Sequence, residues 1–142
     1  DNCISEPGPA DNQGCPVAQK QLVVITAEKL VIKDKVYFDT DKATIQARSN
    51  TMLNQIASII GSHPELSQIQ VEGHTDNTGD AAHNRSLSAA RAQSVVDYLV
   101  KKGVAPSRLK PVGFGPDRPA DVNSTAKGRE NNRRVEFNIL SD

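Results

Sequence analysis

Apolar side chains recur along this chain in two rhythms, and the order in which the rhythms alternate outlines a fold. Residues 22–25 are an apolar run, and within 30–38 Ile32, Val36 and Phe38 fall at even spacing, so both segments read as strands with one face turned inward. The period then lengthens. Ile45, Ser49, Met52, Leu53, Ile56, Ile59 and Ile60 recur at three and four, which lines one face of a helix, and Gly61 with Pro64 ends it. Gln68-Ile69-Gln70-Val71-Glu72 returns to alternation, as a half-buried strand does. Asp80 is placed to cap a second helix running to about Lys102, with Gly103 where a left-handed turn closes such helices and Leu87, Val95, Tyr98 and Leu99 as its apolar stripe. A further strand spans 109–114, a polar loop rich in Pro, Asn and Gly follows, and Val135, Phe137 and Ile139 alternate in a last strand. The order β-α-β-α-β-β predicts an α+β two-layer sandwich with two main helices over one sheet, and no internal repeat is visible.

Composition narrows the setting. Residues 1–20 have almost no apolar periodicity and three prolines, so they read as a linker or the end of a preceding module, leaving 21–142 as the folded domain. Cys3 and Cys15 lie in that segment with no histidine near enough to complete a zinc site, which predicts a small disulfide loop and an oxidising compartment such as the periplasm. Seventeen basic residues balance seventeen acidic ones, so no overall field draws the chain to nucleic acid or to an anionic membrane surface. No apolar run approaches the ~20 residues that span a bilayer, and the N-terminus lacks a signal-peptide layout, so the sequence reads as a soluble mature fragment with any membrane-anchoring part upstream.

Candidate chemistry gathers at one helix end. Gly73-His74-Thr75-Asp76-Asn77-Thr78-Gly79 leads from a strand end to a helix start, where sites are favoured, although turn and cap chemistry alone would also choose these residue types. Arg91 lies four residues after Leu87 and four before Val95, so its side chain leaves the helix along the apolar stripe and needs an anion there, whether a ligand or a structural carboxylate. Asn84, two turns earlier on the same face, sits near the Asp76 loop. Arg129, Arg133 and Arg134 form a second basic cluster, too small and too poor in aromatic platforms for nucleic acid. His74, Asp76 and His83 invite a metal reading, but no further ligand pair is spaced to close a site, so no metal and no cofactor are expected. Neither a Gly-x-Ser-x-Gly elbow, nor a cysteine in the globular part, nor a phosphate-cradling glycine loop is present, so the chain is not expected to be an enzyme. The alternative kept open is a wall-modifying hydrolase using His74 and Asp76.

Val71-Glu72-Gly73-His74-Thr75-Asp76-Asn77-Thr78-Gly79, then Asn84-Arg85-Ser86-Leu87-Ser88-Ala89-Ala90-Arg91-Ala92, then Gly128-Arg129 and Asn132-Arg133-Arg134-Val135-Glu136-Phe137 resemble, in that order, the OmpA-like peptidoglycan-binding domains of the OmpA C-terminal, Pal and MotB type. The resemblance runs from about Val36 to Leu140. It implies a mixed four-stranded sheet with helices on one face, a pocket for the diaminopimelate of peptidoglycan, and a place at the periplasmic face of a Gram-negative outer membrane. It also implies that Asp76 takes the ligand's ammonium and Arg91 its carboxylate, with Arg133 as second cation. Thr78, Asn84 and Leu87 complete the ligand-binding set, and Asp41 belongs to the loop on the opposite side. Asp1-Asn2-Cys3 and Gly14-Cys15-Pro16 resemble the closing part of a thrombospondin type-3 repeat without its Asp-rich calcium loop.

Overall fold

The computed structural model describes residues 23–26, 29–32 and 35–141, and in these the two rhythms resolve into a mixed sheet carrying two long helices. Strands β1 (Val23–Ile25) and β2 (Lys29–Ile32) form an antiparallel pair. Helix α1 (Asn50–Ser62) follows through a 3-10 turn at Ala47–Ser49, and then come β3 (Gln68–His74), α2 (Ala81–Lys101), β4 (Leu109–Gly115), a short helix α3 (Ala126–Asn132) and β5 (Arg134–Ser141). The spatial order is β1-β2-β5-β3-β4. The last strand is antiparallel to both of its neighbours, whereas β3 and β4 are parallel and α2 supplies the crossover that such a pair requires.

The expected α+β class holds, with five strands in place of four and a third helix in the stretch read as loop. The strand expected over 30–38 stops at Ile32. Beyond it Tyr37 N donates to Ser49 Oγ at 2.7 Å, and Phe38 pairs with Ile45 in an isolated bridge, so the even spacing of Val36 and Phe38 serves a loop folded onto α1. Ile45 therefore belongs to that bridge and not to the helix stripe. The proposed Cys3–Cys15 bridge and the 1–20 segment fall outside the described residues.

The core lies between the sheet and the helices. Met52, Leu53, Ile56 and Ile60 of α1, Ile69 and Val71 of β3, Val95 and Leu99 of α2 and Phe137 of β5 are at most 2% exposed. Helix α2 begins where expected, with Asp80 Oδ2 accepting from His83 N at 3.0 Å, and Gly103 beyond its end has φ +107°. Its first half differs from the expected stripe. The buried residues there are Asn84, Ser88 and Ala92, because the helix lies directly on sheet backbone. A Cβ on Gly73 would sit 2.2 Å from Ser88 O, and one on Gly113 would sit 2.3 Å from Ala89 N. Gly115 N also donates to Ser88 Oγ at 2.9 Å, which ties the end of β4 to the helix. This close approach draws the start of α2 over the C-terminal ends of β3 and β4.

Helix α3 has no apolar stripe and is held by polar pegs. Thr125 caps it through Gly128 N at 2.9 Å. Asn132, fully buried, accepts from Ala120 N and Asp121 N and donates to Asp121 O and Asn123 Oδ1, all within 2.9 Å. Asn132→Ala should therefore lower the unfolding free energy by about 2–4 kcal/mol, since it removes four hydrogen bonds made from one fully buried side chain. Denaturant titration measures this, and a loss below ~1 kcal/mol would show that the 120–123 loop is supported by something else.

Candidate functional site

Four segments meet beyond the end of β3 and enclose a pocket of about 340 Å³. They are the 35–41 loop, the end of β3 at Gly73 and His74, Arg91 on α2, and the passage from α3 into β5 around Arg133 and Val135. Lys35 Nζ donates to Glu130 O at 2.9 Å and joins the first segment to the last. The lining is rich in cations: Lys35, Arg91, Arg133 and Arg134 against Asp41 and Glu130.

Arg91 emerges half-buried along the helix face that packs on the fold, as its position in the stripe predicts. Its hydrogen bonds run to backbone carbonyls, Nε to Lys42 O at 2.8 Å and Nη2 to Asp39 O at 3.2 Å, and its guanidinium carbon stands 4.9 Å from the Phe38 ring centre. Burial pushes its pKa down, Asp41 opposes that shift, and the nearby positive charge of Arg133 adds to it. The two guanidiniums thus face one space, and among the described residues no carboxylate is bonded to Arg91.

Asp76 is buried at 7% exposure, with Oδ1 accepting from Thr78 N at 2.9 Å and Oδ2 paired with Arg133 Nη1 at 2.5 Å. Burial raises its pKa, but the Thr78 N–H and Arg133 outweigh that and leave it lowered, so it is a carboxylate at neutral pH. Asp76 does not itself line the pocket and reaches it through Arg133. Thr78 and Asn84 serve the loop: Asn84 Nδ2 donates to Thr78 O at 2.9 Å, pinning the turn to the helix start. Leu87 is half-buried and outside the pocket lining. Asp41 lines the pocket with φ +57°, a left-handed backbone an aspartate tolerates better than most residues, and its Oδ1 accepts from His83 Nε2 at 2.9 Å, a bond that lowers its pKa.

The structure therefore gathers Arg91, Arg133 and Asp41 in one wall, brings in Asp76 by an ion pair, and assigns Thr78 and Asn84 to scaffolding. Sequence reasoning missed Lys35, Tyr37 and Phe38, because they were placed in a strand, and His83 as the holder of Asp41. His74 and Asp76 do not form a dyad. The His74 ring, 4% exposed, faces Glu72 at 3.2 Å and stacks on Phe114 with centroids 5.4 Å apart. Burial first, and then Arg134, hold its pKa below the ordinary histidine value against the opposing effect of Glu72 and Glu136. With each residue committed elsewhere, the hydrolytic alternative lacks its acid–base pair.

The model of the OmpA family matches residues 37–133. Outer membrane protein A of Bordetella avium is 40% identical over 129 residues, covering 89% of this chain and 66% of that protein. Among solved structures, the peptidoglycan-associated lipoprotein from Burkholderia pseudomallei is similar with TM-score 0.67 and 30% identity over 73% of this chain and 87% of that one. The cell wall anchor of the T6SS from Pseudomonas aeruginosa gives 0.70 and 29% over 84% and 87%. The chain spans about a third of the length of some curated relatives, as with the 34% of outer membrane porin F from Pseudomonas fluorescens.

Proposed function

The chain belongs to the OmpA family, and from that premise we propose that it is a non-catalytic anchor that binds peptidoglycan on the periplasmic side of the outer membrane or envelope, gripping the diaminopimelate of the stem peptide. The observation that carries this reading is Arg91. A half-buried guanidinium bonded, among the described residues, to neutral carbonyls at a pocket wall, with a second guanidinium beside it, is arranged to receive a carboxylate. Diaminopimelate carries at its free end a carboxylate and an ammonium on one carbon. Arg91 and Arg133 take the carboxylate, and Asp76, set behind Arg133 outside the lining and with acceptor capacity beyond its two bonds, takes the ammonium as Arg133 turns toward the ligand. Asp41 closes the far side, held in place by His83. Binding proceeds without turnover, since the pocket supplies charge complementarity and no activated nucleophile. We assign residues 1–20 to a linker or the end of a preceding repeat, and 21–142 to the binding domain.

Ligand choice tests the assignment. The lysine-type stem lacks the side-chain carboxylate, and binding it would leave Arg91, beside the positive charge of Arg133, without its anion. Calorimetry with the two stem peptides should show the lysine form at least tenfold weaker, about 1.4 kcal/mol or more. Equal affinities would mean that the arginine pair reads some other part of the wall.

A further inference from the structure

The sheet carries a second polar centre, which meets the pocket only at His74 and its neighbour Arg134. Gly73 faces α2, so its neighbours Glu72 and His74 project from the opposite side of the sheet, and Glu136, paired with Glu72 across β3 and β5, stands beside them. One ligand-type atom from each of the three lies within 4.8 Å of the other two. Glu72 and His74 are only 6% and 4% exposed, a depth at which ionisable groups need partners. Each carboxylate has one oxygen already held by a donor at the edge of the cluster. Gln70 Nε2 donates to Glu72 Oε2 at 2.7 Å, and Arg134 Nε donates to Glu136 Oε2 at 2.5 Å. The imidazole is set between its Glu72 contact and the Phe114 ring, and its buried Nδ1 has no hydrogen-bond partner among the described residues.

We propose that Glu72, His74 and Glu136 bind a divalent cation of the zinc type. One imidazole and two carboxylates form a donor set that zinc accepts, with solvent completing the shell. Gln70 and Arg134 supply the outer bonds that orient ligating carboxylates, and these outer bonds commonly separate a built site from a chance cluster. The cluster shares His74 and Arg134 with the lining of the wall pocket, while its two carboxylates, Glu72 and Glu136, lie outside that lining.

The test is zinc titration by calorimetry on the whole 142-residue chain, reduced and alkylated at Cys3 and Cys15 so that thiols do not compete. The expected result is one equivalent of zinc bound, with a rise in melting temperature reversed by chelator. Affinity should fall at least tenfold in His74→Gln and in Glu136→Gln. Glu136 is half-buried, so its variant carries the test if His74→Gln does not fold. Failure to saturate at one equivalent, or uptake unchanged in Glu136→Gln, overturns the proposal. So does uptake that disappears only in His83→Ala, because that would place the ion at the Asp41 contact.

Discussion

Replacing Arg91 by alanine should abolish co-sedimentation with diaminopimelate-containing sacculi. Removing one partner of a desolvated, hydrogen-bonded charge pair typically costs about 2–5 kcal/mol, a loss of roughly 30- to several thousand-fold in affinity. The structure adds a second effect that the sequence does not predict. Arg91 also holds Lys42 O and Asp39 O, so its loss loosens the 39–42 loop and should lower stability by about 1–2 kcal/mol. The two consequences separate in Arg91→Lys. A lysine keeps the charge but cannot reach both carbonyls with the fixed fork of a guanidinium, so most of the binding should still be lost. Asp76→Ala should also abolish binding, and the double variant should lose little beyond either single change, since both residues hold one zwitterion. A folded Arg91→Ala domain that binds sacculi within threefold of the parent would mean that the pocket is wrongly assigned.

Gly73→Ala should unfold the domain or come close to it. The new methyl would lie 2.2 Å from Ser88 O and 2.9 Å from Ser88 C, atoms of the α2 backbone that no rotamer change can move. Relief requires lifting α2 from the sheet, which would pull Ser88 Oγ away from Gly115 N and open the packing around Ala92 and Val95. Overpacking of about 3 kcal/mol or more is expected, against a total stability of roughly 5–15 kcal/mol. Gly61→Ala provides the control, because a Cβ there meets nothing within 4 Å in the last turn of α1. That change should be neutral or stabilising by about 0.5–1 kcal/mol. Thermal melts of the two variants decide the matter: a Gly73→Ala domain melting within two or three degrees of the parent would mean that the helix does not rest on the strand.

These contrasts show what the order of residues discloses. Alternation in 68–72 and 135–139 identified two central strands because each has one face in the core, and the three-and-four spacing of 52–60 identified α1 for the same reason. Helix α3 left no such trace. Its seven residues hold position through a threonine cap, a glycine pressed against Val122 and the four bonds of Asn132, and contacts of that kind have no period. The stripe of α2 misled at Leu87 because the strands beneath carry glycine there, which moves the buried face to Ser88 and Ala92. Arg91 was legible as a cation on an apolar face. Its carbonyl partners were not, since they come from a loop about fifty residues away in the chain. Asp76 was legible as a site carboxylate, while its engagement with Arg133 depends on how the end of α3 delivers β5.

The position of β5 bears on how the domain comes into being. It is the last segment of the described chain and yet the middle of the sheet, with β2 on one side and β3 on the other. Until residues 134–141 emerge, the polypeptide holds two separate pieces, the β1–β2 hairpin and the β3-α2-β4 unit, each with an open edge that another chain could extend. Closure joins segments about a hundred residues apart in sequence, a slow kind of event for which a newly delivered chain has to be kept from aggregating. Truncation within β5 should accordingly divide the sheet in two, and a chaperone acting on the nascent domain would have two strand edges to shield until its final residues arrive.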